Sequence, residues 1–197
     1  MDALLLIDTD DASYISDANA EILVDIVGRT RTVGGVLIFA STKEELVDVD
    51  DEELSIFVPD EEDLVLRSET PDVFEGIRDL APGLHDMGVD RIVIAGGDVD
   101  TVAASGDADS GDDADGADAA DGVETEDAAG DADSGAGAGD LPGSVRSSAM
   151  AALVCNFDVI VLSDAVIDAE GQPVTWLDEA EDAGAMIKKT ADTWLRM

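Results

Sequence analysis

The sequence predicts an α/β fold: a doubly wound parallel sheet of about six strands, in the order 3-2-1-4-5-6, with helices on both faces. Three observations carry this. Five short runs are apolar almost throughout: ALLLI at 3–7, VLIFA at 36–40, DLVLR at 63–67, RIVIA at 91–95 and DVIVL at 158–162. That is the pattern of strands covered on both faces, not of strands with one wet side. Between them, apolar residues recur every three or four positions, the period of amphipathic helices. The two kinds of segment alternate along 197 residues, a length that fits a single domain over 1–197, and such alternation implies parallel crossovers.

Each element has its own signals. The first strand, 3–7, ends at Asp8. A helix opening at Ser16 or Asp17 carries Ala18, Ile22, Ile26 and Val27 on one face. The second and third strands follow at 36–40 and 63–67. Val73, Phe74, Ile77, Leu80, Leu84 and Met87 predict a helical stretch over 71–88, closed by Gly88, with Pro82-Gly83 as a point of breakage. RIVIA is the fourth strand and Gly96-Gly97 ends it. Pro142-Gly143-Ser144 opens a helix through Val145, Ala149, Ala152 and Leu153. The fifth strand, 158–162, is followed by Ser163-Asp164-Ala165. Residues 176–183 read as a helix, 185–188 as a short sixth strand and 190–195 as a last helix.

Charge excludes whole classes of partner. Asp and Glu number 48 against 10 Lys and Arg, a net charge of −38. Nucleic acid is not a partner for such a surface, and neither is an anionic membrane. Only three of the basic residues are Lys (Lys43, Lys188, Lys189) and aromatics make up 4%. This composition suits a high-salt cytosol, where carboxylates hold water and their repulsion is screened. A single Cys excludes an internal disulfide and fits a reducing, cytoplasmic setting. The start, MDALLLIDTDD, lacks a basic region and a long apolar run, so no signal peptide is expected. No run reaches the ~18–20 apolar residues of a membrane span.

Residues 101–140 stand apart, with 13 acidic residues, no basic one, and otherwise mostly Ala, Gly and Ser. They have no apolar periodicity and are expected to form a disordered insertion. A calcium loop of the DxDxDG type is absent. The rest of the chain still carries 35 acidic against 10 basic residues, so the acidity is global.

In doubly wound sheets ligands bind beyond the carboxyl ends of the strands. That singles out Asp8, Ser41, Arg67, Gly96 to Asp98, and Ser163-Asp164. No GxGxxG follows a strand, so a dinucleotide site has little support, and Gly96-Gly97 reads equally well as a tight turn. His85, the one histidine, falls within a predicted helix and reads as solvent-facing. Cys155 reads as a small buried hydrophobe. No cofactor or metal ligand set is visible.

Several phrases, in order, resemble the isochorismatase-like hydrolases, which include nicotinamidases. ALLLIDTDDASY resembles their first strand with its catalytic aspartate, and GLHDMGVDRIVIAGG their helix-turn-strand before the active-site turn. SSAMAALVCNFDVIVLSDAVID resembles their following helix, fifth strand and DA turn, and LDEAEDAGAMIKKTADTWL their closing elements. The resemblance implies hydrolysis of a small amide or vinyl ether, a small-molecule substrate and a homo-oligomer. It also implies a Cys, Lys and Asp triad, in which a thiolate attacks and backbone amides hold the oxyanion. Asp8 matches the aspartate. Arg67 or Ser68 falls at the lysine position, and Ser144, twenty residues before Asp164, at that of the cysteine. The expected triad positions are therefore Asp8, Arg67 and Ser144, a degenerate set.

Plainer roles exist for the same residues: Asp8 as a cap or as the partner of Arg67 in an ion pair, and Ser144 as a helix N-cap. Two other functional readings remain open. LLLIDTDDA also resembles the first motif of haloacid dehalogenase-type phosphatases. In that reading Asp8 is the nucleophile, Asp10 the acid/base, Ser41 or Thr42 a phosphate contact, and Asp98 and Asp100 lie near magnesium. The other is a catalytically inactive binding or assembly module that kept the fold and lost the chemistry.

Overall fold

The computed structural model describes residues 1–99 and 142–195; the expected acidic insertion at 101–140 lies outside them. The described chain builds one six-stranded sheet in the order β3-β2-β1-β4-β5-β6. Its strands are β1 (Asp2–Ile7), β2 (Val36–Ser41), β3 (Leu64–Arg67), β4 (Arg91–Asp98), β5 (Asp158–Asp168) and β6 (Met186–Lys188). Every neighbouring pair is parallel. The helices are α1 (Asp17–Val33), α2 (Val73–Gly76), α3 (Leu80–Asp86), α4 (Ser144–Val154) and α5 (Leu177–Ala183). Among the described residues, no helix is long and apolar enough to cross a membrane.

The apolar strands earn their burial on two faces. Along β1, Ala3, Leu5 and Ile7 enter one core with Val73, Leu84, Val145 and Ala149 of α2, α3 and α4. Leu4 and Leu6 enter the other, with Leu23, Ile26 and Val27 of α1. The alternation is the period of two that a pleated strand imposes. Each such Leu or Ile contributes about 1.5–3 kcal/mol by leaving water, so the central strand is the best-anchored element.

Local signals set the boundaries. Ser16 caps α1, its hydroxyl accepting from the Asn19 amide at 3.4 Å, and Gly34 ends the helix in the left-handed region at φ 71°. Gly96 sits at φ +137°, where any Cβ would collide with the Ile7 carbonyl. Glycine there lets β4 press against the end of β1, beside an irregularity in the pairing with β5 between Ile94 and Gly96.

Four expected elements differ. β4 continues through Gly96-Gly97 to Asp98 and β5 through Ser163-Asp164-Ala165 to Asp168, because the two strands resume pairing beyond the irregularity. The stretch 71–88 does divide, but at 77–79 and not at Pro82-Gly83. Asp79 adopts the left-handed region (φ 66°) and Pro82 falls in the first turn of α3, where a missing N–H costs nothing. The expected last helix over 190–195 is a single 3₁₀ turn, Thr190–Asp192, followed by extended chain. Specific side chains override the helical pattern there. The Asp164 carboxylate accepts from the Thr190 amide at 2.9 Å, and Arg29 donates to the Thr190 and Thr193 carbonyls at 2.8 and 3.0 Å. Arg91, paired with the buried Asp2, donates to the Trp194 carbonyl at 2.6 Å.

Candidate functional site

Asp8 lies at the carboxyl edge of the central strand, fully buried, with φ +47°. Asp and Asn tolerate this region better than other non-glycine residues. The turn aims its carboxylate sideways, into three donors. Oδ1 accepts from the Thr42 amide at 2.7 Å, and Oδ2 accepts from the Thr42 hydroxyl and the Ser144 hydroxyl, both at 2.7 Å. Thr42 follows directly on β2, and Ser144 is the first residue of α4. Asp8 and Ser144, remote in sequence, therefore touch. Burial raises the pKa of Asp8; the Thr42 and Ser144 hydrogen bonds act against that rise, and the nearby Asp10 adds to it.

The start of α4 is equally occupied. The Ser144 amide donates to the Val99 carbonyl at 3.2 Å. The next two amides, Val145 and Arg146, donate to Asp98 Oδ1 at 2.9 and 3.1 Å. Asp98 Oδ2 accepts from Trp176 Nε1 at 2.5 Å. Gly143 makes room for this, since a Cβ there would collide with the Asp98 carboxylate. A carboxylate thus sits on the positive end of an 11-residue helix, the place where helix dipole and free N–H groups would otherwise hold an anion or oxyanion.

Arg67 does not join Asp8 and Ser144. On β3, Leu64 and Leu66 pack toward the face that α4 covers, whereas Val65 packs toward the α1 face. Arg67, two residues after Val65, shares its face. Its guanidinium donates to the Leu46 and Val49 carbonyls at 3.2 and 2.9 Å and to Asp51 at 3.0 Å, all in the loop after β2. The expected triad is corrected on this point: a one-residue step places Arg67 on the wrong face. Ser68, the next residue, lies against Gly76 of α2 and donates to the Thr70 carbonyl at 2.6 Å. Of the two positions that the family resemblance offers for the lysine, Arg67 turns to the loop after β2 and Ser68 is a small, internally bonded serine.

Sequence reasoning does not reach Lys43 or Trp176. Lys43, one of three lysines, stands two residues past the end of β2. Its ammonium lies 3.3 Å from Asp10 Oδ1, which also accepts from the Ala12 and Ser13 amides. Its rarity and its place beyond a strand end are the signals that could have found it. Asp10 Oδ2 and the Ser13 hydroxyl are buried without a hydrogen-bond partner among the described residues.

The remaining expected residues have structural tasks. The Ser41 hydroxyl accepts from the Lys43 amide at 3.3 Å, and Ser163 donates to the Lys188 carbonyl at 3.4 Å. Cys155 caps the far end of α4, half-buried, and burial raises its thiol pKa. His85 is exposed; its ring stacks on Phe157 at 4.1 Å and its Nε2 donates to the Cys155 carbonyl at 3.0 Å. Of the residues in the phosphatase reading, Thr42 is spent on Asp8 and Asp98 on α4, Ser41 accepts from the Lys43 amide, and Asp100 lies outside the described residues. Among the described residues, no three His, Cys, Asp or Glu side chains gather as metal ligands.

No protein-family model matches the chain, and no curated protein matches it in sequence. Solved structures do match in fold. N-carbamoylsarcosine amidase from Thermoplasma acidophilum aligns over 98% of this chain and 98% of its own, with TM-score 0.60 and 18% identity. An isochorismatase family protein from Desulfovibrio vulgaris aligns over 96% of this chain and 94% of its own, with TM-score 0.60 and 13% identity. Pyrazinamidase of Pyrococcus horikoshii, solved in complex with zinc, aligns over 95% and 98%, with TM-score 0.54 and 18% identity. The fold is that of the isochorismatase-like hydrolases, as the sequence resemblance implies.

Proposed function

We propose that this chain is an isochorismatase-like protein that keeps the hydrolase fold without its thiol chemistry, and that it serves as a binding or assembly module. One observation carries the reading: the groups that acyl transfer requires at the start of α4 are already satisfied inside the protein. The Ser144 hydroxyl is buried on Asp8, and the Val145 and Arg146 amides are closed by Asp98. Oxyanion stabilisation needs donors aimed at empty space where charge develops. Serine, moreover, needs a strong base to become a nucleophile, and Asp8 has two other donors bound to it.

A second reading has its own support. A buried carboxyl with a raised pKa suits a general acid, and the unpartnered Asp10 Oδ2 and Ser13 hydroxyl nearby offer polar contacts to a small molecule. Acid-assisted cleavage of a vinyl ether needs no nucleophilic side chain.

The test is an assay of nicotinamide, an N-carbamoyl amino acid and isochorismate in molar salt. The expected result is no turnover above background for the wild-type chain. Turnover abolished by Ser144→Ala would overturn the non-catalytic reading in favour of acyl transfer. Isochorismate cleavage lost in Asp8→Asn but kept in Ser144→Ala would replace it with the acid-catalysis reading. A Ser68→Lys, Ser144→Cys double variant, which restores the triad's residue types on the correct face, is also expected to stay inactive, because Asp98 still fills the helix N-terminus.

A further inference from the structure

Near the start of β4, where Arg91 reaches the Trp194 carbonyl, the outer face of α1 and the segment 193–195 enclose a groove of about 450 Å³. Two large apolar side chains in its lining stand in water: Val24, 58% exposed, and Trp194, 76% exposed. The backbone under Trp194 is fixed. Arg91 holds its carbonyl, Arg29 holds that of Thr193, and Leu195 packs against the α1 core. Gly28, in the same lining and in the interior of α1, has no neighbour within 4 Å of where a Cβ would stand. Glycine is a poor helix former, and no contact among the described residues requires it there. The groove thus sets a protruding, backbone-fixed aromatic, the commonest kind of interface hot spot, beside a bare patch of helix.

Self-complementarity selects the occupant. In a two-fold dimer one patch meets its own copy, so it has to carry both halves of every contact. This groove carries both. Trp194 is a knob and the surface over Gly28 is a hollow. Asp25, its side chain 63% exposed, is an acid, and Arg29, one turn along α1 and 2.7 Å away, is a base. A partner of different sequence needs only one half of each. The balance of charge is also particular to this groove. The one beside Arg31 is lined by Asp60, Glu62 and Asp63, and the hollow over 49–52 by Asp50, Asp51 and Glu52. Two copies meeting there would set acid against acid, whereas two copies meeting at α1 set Asp25 of each against Arg29 of the other. The remaining repulsion of a chain of net charge −38 is screened within ~3 Å at 1 M salt. Resting on the assembly reading of the proposed function, the geometry points to this groove as a two-fold interface with a second copy of this chain, in which Trp194 of each copy packs over Gly28 and Val24 of the other.

The experiment is sedimentation equilibrium of the full chain in about 1 M salt. The expected species has twice the mass of the chain and dissociates on dilution. Trp194→Ala, which removes the knob, and Gly28→Arg, which fills the hollow, are each expected to raise the dissociation constant at least about tenfold. Gly28→Arg extends into open space on an exposed helix face, so it keeps the fold, and its monomer is expected to melt no lower than that of the wild-type chain. Val154→Asp, at the exposed end of α4, is expected to leave the constant unchanged. A monomer at every concentration would overturn the proposal and leave the groove to a foreign partner. A dimer whose constant is unaltered in both Trp194→Ala and Gly28→Arg would overturn it too, because the interface would then lie elsewhere. So would steady growth into larger species, the mark of a head-to-tail contact. The outcome is separable from the catalytic question: turnover would end the non-catalytic reading without changing these masses, and a monomer would end this proposal without changing the assays.

Discussion

The two ends of the sheet differ in how much they leave undone. At the carboxyl edge, Asp8, Thr42, Ser144, Asp98 and Trp176 meet one another's hydrogen-bonding needs. At the other end, Val24 on the outer face of α1 and Trp194 beyond β6 stand in water, although Arg29 and Arg91 hold the backbone carbonyls of Thr193 and Trp194. A polar cluster with its donors matched to its acceptors contributes rigidity and has little to offer a ligand. A fixed apolar surface gains from being covered. The proposed non-catalytic reading rests on this contrast.

The comparison breaks most visibly at Asp8. Asp8→Ala leaves the amide and hydroxyl of the half-buried Thr42 without their acceptor, leaves the buried Ser144 hydroxyl only the longer bond to the Gly97 carbonyl at 3.2 Å, and puts alanine at positive φ. At 1–3 kcal/mol for each stranded buried group, less whatever relaxation recovers, the expected loss is about 3–5 kcal/mol. For a chain of this size that is a fall in melting temperature on the order of 6–20 °C. A fall of only a degree or two would mean that the cluster is not structural and that its closure is superficial.

The same contrast explains what could be read from the sequence. The strands were legible because their apolar runs are continuous, and the meeting of Asp8 with Ser144 follows from strand order together with the start of α4. Arg67 was misplaced because a single step along β3 exchanges faces, and no periodicity in a four-residue strand fixes which residue leaves it last. The closing segment was misread because Thr190, Ala191 and Leu195 keep helical spacing, while Asp164, Arg29 and Arg91, distant in sequence, hold it extended. The role of Asp98 was invisible because it depends on Trp176 and on the bare Cα of Gly143.

A smaller effect separates burial from hydrogen bonding at Asp8. Its folded pKa is raised above the ordinary 3.8, chiefly by desolvation. The folded state therefore holds the proton more tightly than the unfolded state. The resulting stabilisation is fully present below the unfolded pKa and is lost as pH rises through the folded value. Asp8→Asn keeps the turn-tolerant shape and an acceptor for Thr42 but cannot ionise. Relative to the wild-type chain, this variant is expected to gain melting temperature steadily as pH rises from about 4 toward neutrality, with no further gain above the folded pKa. A difference independent of pH, or one that runs the other way, would show that the three donors outweigh the burial.

The smallest expected effect is at Arg67, and it sharpens the contrast because it tests the face assignment directly. Arg67 pairs with the exposed Asp51 and donates to two loop carbonyls. Exposed pairs of this kind contribute about 0–1 kcal/mol, and the loop carbonyls have water as an alternative donor. Arg67→Ala is therefore expected to lower the melting temperature by no more than about 4 °C and to loosen the loop after β2. It is also expected to leave the pH dependence of the Asp8→Asn comparison unchanged, because no atom of Arg67 donates to Asp8. If Arg67 instead reached across β2 to pair with Asp8, its removal would take away a positive charge that favours the ionised carboxylate. The stabilisation gained from Asp8→Asn would then grow in the Arg67→Ala background. Melting curves of the two single variants and the double variant, at a pH near 4 and at neutrality, separate the two arrangements.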